Sequence, residues 1–135
     1  MGDDTLQHSA GRGGNLAIDL GSTTTVVVFQ SPDTPTAQLV DLSPISRRPG
    51  EVPSLVWDNA DQPLIGHQVI EAKLIDSNDS RLHRDFKRLI GTKNIPEHNR
   101  ACWAGQHLLH DIWQSLPHGL NIERLVLSAP VESYR

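Results

Sequence analysis

At 135 residues with 37% apolar side chains, the chain can bury one core but hardly two, so a single compact unit or a piece of a larger one is expected. A formal net charge of -4 argues against a phosphate-backbone partner, which needs a concentrated positive surface, and no nucleic acid is expected. The lone Cys102 excludes an internal disulfide framework and fits a reducing compartment; no apolar run is long enough to span a bilayer or form a secretory core, so no membrane is expected and the default location is cytoplasmic.

Residues 1–15 are rich in glycine and aspartate, lack a periodic apolar pattern, and read as a disordered tail. Two β-rich runs, residues 16–20 and 24–30, flank a tight turn in which Asp19 closes the first strand, Gly21 lets the backbone approach a ligand, and Ser22, Thr23 and Thr24 offer hydroxyl and amide donors. Successive N–H groups in such a turn form an anion-binding concavity. Asp19 would repel a bare phosphate there, which argues for a hydrated Mg²⁺ between them. The alternative is a plain hairpin whose polar tip faces water. The continuous apolar stretch Val26, Val27, Val28 and Phe29 predicts a strand covered on both faces, and residues 37–42 predict a third strand that completes a meander.

Prolines, a glycine and the Arg47-Arg48 pair make residues 43–52 irregular; short strands are predicted at residues 53–57 and 64–66, then a helix over residues 67–75. Leu82, Phe86, Leu89 and Ile90 recur at helical spacing up to Gly91 and predict a second helix, which carries Lys87. The longest helix is expected from about Glu97 to Leu116, with Cys102, Leu109, Ile112, Trp113 and Leu116 on its packed stripe and Gly119 beyond it. Residues 122–129 form a last β-rich run before Pro130.

Arg81, Arg84, Lys87 and Arg88 place several cations within two predicted turns, mostly as a solvated face; Lys87 differs because Phe86, Leu89 and Ile90 surround it, so its ammonium is expected to point into a cleft. His107 and His110, one turn apart beside Asp111, lack a further matching ligand set, and a metal site is not expected there. Trp57, Trp103 and Trp113 read as packing residues, Cys102 as a small buried helix residue, and no serine or thiol sits in a nucleophile pattern.

The segment Asp19-Leu-Gly-Ser-Thr-Thr24 resembles the first phosphate-binding motif of the actin-like ATPase superfamily. Val52-Pro-Ser-Leu-Val56, Leu64-Ile65-Gly66 and Phe86-Lys-Arg-Leu-Ile-Gly91 are similar, in order and spacing, to segments of its DnaK-type 70-kDa heat-shock chaperones, and Leu125-Val-Leu-Ser-Ala-Pro130 to the strand and proline that follow. The resemblance implies an α/β fold: a ribonuclease H-like lobe with a mixed β-sheet and flanking helices over residues 16–135. It implies ATP or ADP with Mg²⁺ as cofactors. Gly21, Ser22, Thr23 and Thr24 would then contact the β- and γ-phosphates, Asp19 would hold Mg²⁺ through water, and Lys87 would be the catalytic lysine. Unfolded polypeptide and co-chaperones would be partners of a complete protein.

The sequence departs from the family at Thr24, usually an aromatic or asparagine position, and almost lacks the sheet-rich insertion expected after Gly91. It ends before a second phosphate loop, so a truncated lobe with feeble ATP affinity and no meaningful turnover is expected. Two alternatives are half of an actin-like small-molecule kinase and a non-enzymatic remnant or interaction module.

Overall fold

A computed structural model describes residues 12–90 and 95–128. The first eleven residues of the tail expected at 1–15, the stop at Gly91 and the end of the last strand at Ala129 and Pro130 lie outside the described residues. Eleven elements follow in chain order: strands β1 (Gly14–Asp19), β2 (Thr24–Gln30), β3 (Gln38–Leu39), β4 (Glu51–Pro53), β5 (Leu55–Trp57) and β6 (Leu64–Ile65), helix α1 (His67–Glu71), strand β7 (Leu82–Arg84), helices α2 (Phe86–Ile90) and α3 (Ile95–Ser115), and strand β8 (Ile122–Ser128). The architecture is mixed α/β.

The larger sheet runs β3-β2-β1-β8, with β4 sharing the flank of β2. β1 and β2 form an antiparallel hairpin in which Asp19 faces Val26, while β8 lies parallel to β1 with Ser128 level with Asp19. Parallel neighbours need a long crossover, and α3 lies within it. Beside β2, β3 pairs at Val28 and Phe29 and β4 at Thr24 to Val26. A second, antiparallel sheet runs β6-β5-β7.

Side-chain alternation decides where the core sits. Leu16, Ile18 and Leu20 are buried while Asn15 and Asp19 are exposed and Ala17 is partly so, the period-two signature of a strand covered on one face. Val27 is sealed but Val26 and Val28 are partly exposed, so β2 is not covered on both faces as its apolar run predicts. One helical layer packs on it. Ala101, Ala104, Leu108 and Ile112 of α3, at spacings of three and four, meet Leu16, Ile18 and Val27 in the main core. This face is displaced from the expected stripe: Cys102 and Leu109 are only partly buried, and Trp113 is 49% exposed. Leu55, Trp57 and Val69 form a smaller core beneath the second sheet.

Three boundaries differ for identifiable reasons. β1 begins at Gly14, inside the expected tail, where a methyl group would stand 2.4 Å from the Gln30 carbonyl and the Phe29 ring. α1 stops at Glu71, short of residue 75, and the chain then enters a left-handed conformation at Lys73 (φ 61°). The helix expected from Leu82 is a strand followed by a short helix. Leu82, His83 and Arg84 pair with Trp57, Val56 and Leu55, and Asp85 at φ 54° turns the chain into α2. Sheet pairing overrides the helical spacing of Leu82 and Phe86. Residues 37–42 likewise pair only at Gln38 and Leu39, after which Val40 and Leu42 drop into the core. Among the described residues no helix is long and apolar enough to cross a membrane.

The packed face of α3 is testable by contrast. Leu108→Ala should lower the urea unfolding free energy by about 2–5 kcal/mol through lost burial and a residual cavity, whereas Trp113→Ala should change it by less than about 1 kcal/mol.

Candidate functional site

The turn between β1 and β2 is locked by contacts that local sequence does not reveal. A Cβ on Gly21 would fall 2.1 Å from the Thr24 carbonyl oxygen, so only glycine lets the two arms close. Ser54, 2% exposed at the junction of β4 and β5, donates its backbone N–H to the Thr23 carbonyl at 2.9 Å and its hydroxyl to the Gly21 carbonyl at 2.8 Å. With that proton committed, the buried Thr25 hydroxyl is the donor across the 2.9 Å contact with Ser54 Oγ. The turn backbone is therefore fixed from below. Its hydroxyl-bearing tip stays free.

Ser22, Thr23 and Thr24 line a hollow of about 400 Å³, within the size range of small-molecule sites. The same hollow is lined by Arg47 and Arg48 from the loop before β4, and by Arg84 with Asp85 from the β7–α2 junction. Glu51 adds a second carboxylate; Leu55, Ile70 and Ile75 supply apolar lining. Arg84 Nη1 donates to the Ile75 carbonyl at 3.0 Å, which anchors one corner of its guanidinium. Ion pairs among the described residues engage Arg12, His67 and Arg81, and none engages Arg47, Arg48 or Arg84.

The other expected site residues do not line this hollow. Asp19 is exposed at the carboxyl end of β1, where it accepts a 2.9 Å hydrogen bond from the Ser128 hydroxyl at the matching end of β8. Neither Asp19 nor Gly21 lines the hollow. Lys87 is 8% exposed on α2 and does not line it either; the cations that do are arginines. Arg81 and Arg84 do not share a helix with Lys87, because Arg81 precedes β7 and Arg84 ends it.

A single exposed carboxylate fits magnesium, which keeps most of its water and takes its remaining ligands from phosphate oxygens. Among the described residues no group of three or more His, Cys, Asp or Glu side chains is placed to hold a metal by itself. His107 is engaged in a ring contact with Trp103 at 4.4 Å, and Trp103 with His83 at 5.0 Å. Burial lifts the Asp111 carboxyl above its usual range, against the opposing pull of His110 and His107. Cys102 Sγ lies 3.5 Å from His98 Nε2 on the same helix.

A second hollow of about 400 Å³ is lined by Asp58, Arg81, His83, Arg100 and Trp103. Arg81, one of its two arginines, already holds a carboxylate. Arg81 makes two hydrogen bonds to the Asp79 carboxylate, at 3.1 and 2.8 Å, and lies 4.8 Å over the Trp57 ring; Arg100 donates to the Ser80 carbonyl at 2.6 Å. Equal volume therefore hides unequal chemistry, and the hollow beside the turn is the stronger anion site. No protein-family model matches this sequence, and no curated protein compared with it matches either.

Ser54→Ala strands the Gly21 carbonyl and the Thr25 hydroxyl and should cost about 1–3 kcal/mol in urea unfolding; Gly21→Ala should cost more, since the new methyl meets backbone. Side-chain and backbone hydrogen bonding from Arg81 depresses the Asp79 carboxyl to about 2. The stability this pair contributes is present above the ordinary carboxylate range and is lost as pH falls toward 2. NMR titration should find the Asp79 midpoint there and see it return to the usual range in Arg81→Ala.

Proposed function

We propose that this chain is the phosphate-binding lobe of an actin-like ATPase domain of the DnaK chaperone type, built on a ribonuclease H-like sheet. One observation carries the reading: a glycine turn held rigid by Ser54 presents three consecutive hydroxyl residues to a hollow that is also lined by arginines with no ion pair among the described residues. An antiparallel hairpin continued by a strand parallel to β1, with Asp19 and Ser128 together at the carboxyl ends, is compatible with that fold. In open α/β sheets ligands gather outside those ends.

In this reading the Ser22, Thr23 and Thr24 hydroxyls and the turn amides bind the β- and γ-phosphates of ATP or ADP, and Asp19 orients water around the metal. Mg²⁺ supplies charge neutralisation on the phosphate oxygens when it is bound. Gly21 keeps the backbone close enough to donate. Lys87 is reserved for the transferred phosphoryl group in a complete domain, where unfolded polypeptide and co-chaperones belong. A reducing cytoplasm is the compartment that suits such a protein. Leu125, Val126 and Leu127 of β8, about half exposed, support a lobe that meets a second body.

One wall without its opposite gives weak affinity, because ligand burial and preorganisation are both halved. Calorimetric titration of the 135-residue chain with Mg-ATP should give a Kd of about a millimolar and no turnover. Asp19→Asn and Gly21→Val should each abolish the heat, while Lys87→Ala should leave it unchanged. A flat wild-type titration would refute the reading.

A further inference from the structure

We infer that the hollow beside the turn is a polyanion site in its own right: Arg47, Arg48 and Arg84 supply the counter-charge for a phosphate chain, which suffices for binding without a nucleobase. This deepens the phosphate-binding reading above and rests on it for the assignment of Ser22, Thr23 and Thr24 as the facing wall.

Guanidinium groups stay charged at every accessible pH and match phosphate oxygens in pairs, so three of them around one hollow have a definite chemical complement. Their placement is preformed. The Arg47 N–H donates to the Glu51 carbonyl at 2.8 Å and the Glu51 N–H to the Arg48 carbonyl at 2.9 Å, which closes a tight turn under both side chains. Gly50 completes that turn at φ 76°, its N–H on the Val40 carbonyl at 2.6 Å, in a space where a side chain would strike Leu39 and the Val27 carbonyl. Arg84 is fixed on the other side by its cross-strand partner Leu55 and by the Ile75 carbonyl. A ligand therefore meets cations whose backbones are already ordered, and the ordering cost of binding falls mainly on the arginine side chains.

Local charge sets the ligand's class. Three guanidiniums stand against the carboxylates of Glu51 and Asp85 in the same lining, so the hollow carries one net positive charge while the chain as a whole is negative. A monoanion gains little from that balance. A phosphate chain with several charges spans the guanidiniums, and each carboxylate works against it. Apolar Leu55, Ile70 and Ile75 in the same lining offer contact to an uncharged body beyond the phosphates.

The test titrates the 135-residue chain calorimetrically with inorganic tripolyphosphate at low ionic strength, with and without Mg²⁺, and repeats it with Mg-ATP. Saturable binding is expected, weakened about tenfold in Arg84→Ala and in the double variant Arg47→Ala/Arg48→Ala, and strengthened several-fold in Glu51→Gln. All four positions are surface side chains, and circular dichroism melts confirm that the variants fold. No saturable tripolyphosphate binding, arginine variants that bind like wild type, or a Glu51→Gln that weakens binding would each overturn the inference. Mg-ATP binding that needs Asp19 but ignores the arginines would sink the inference and leave the ATPase reading standing. Arginine-dependent tripolyphosphate binding with no response to Asp19→Asn and no gain from the nucleoside would do the reverse.

Discussion

The hydrogen bonds of Ser54 govern the geometry of everything around the turn. Ser54 stands where the chain leaves the larger sheet at β4 and enters the smaller one at β5, and from there it grips Thr23 and Gly21. The hydroxyl wall belongs to the larger sheet and Arg84 to the smaller, so this one buried side chain sets the separation between the two sides of the hollow. A hydroxyl is required because the Gly21 carbonyl and the Thr25 hydroxyl are otherwise left without partners. Alanine would keep the backbone bond to Thr23 and lose both hydroxyl contacts.

Charge is distributed against the global balance. The chain is acidic overall, yet Arg47, Arg48 and Arg84, none of them in an ion pair among the described residues, line one hollow beside the hydroxyl turn, while Arg81 and Arg12 are paired with Asp79 and Asp33 elsewhere. A diffuse basic surface would attract any polyphosphate, nucleic acid included; a cationic hollow in an acidic molecule selects ligands small enough to enter it. The same distinction separates the two hollows of equal size. Where a guanidinium already holds a carboxylate and an indole face, an incoming anion must displace partners that are in place, and its net gain is small.

Local features of the site were legible in the sequence, and its long-range joints were not. A carboxylate, a glycine and hydroxyls between two β-rich runs point to the turn directly, and the α3 boundaries follow from spacing to within two residues. The role of Ser54 rests on hydrogen bonds to residues 29 and 33 positions away, which no local pattern encodes. Arg84 was hidden by a period error: Leu82 and Phe86 share a helical spacing, but pairing with β5 makes residues 82–84 a strand, and the left-handed Asp85 is the visible sign of the switch. The one-residue displacement of the buried α3 face has a similar origin. Small Ala101, Ala104 and Gly105 are buried there and let the helix approach closely, whereas a search for large apolar residues selects Trp113 instead.

The open side of the sheet and the closed geometry of the turn bear on the same question. In a parallel ladder alternate residues turn their amides to each neighbour, and Ser128 faces β1 through its hydrogen bond to the Leu20 N–H; by the same parity, Leu125 and Leu127 direct their amides away from β1, at the end of the sheet among the described residues. An apolar edge of that kind is a liability in isolation and an asset where another element adds to it. The hydroxyl turn already has its constraints, from Ser54 between β4 and β5, from Gly21 itself, and from Ser128 of β8 on its first arm. What a second body would contribute is enclosure: exclusion of water and a surface for the remainder of the ligand. What this chain contributes is the part of affinity that comes from groups already in position, and that part survives alone in proportion to how few bonds must be ordered when the ligand arrives.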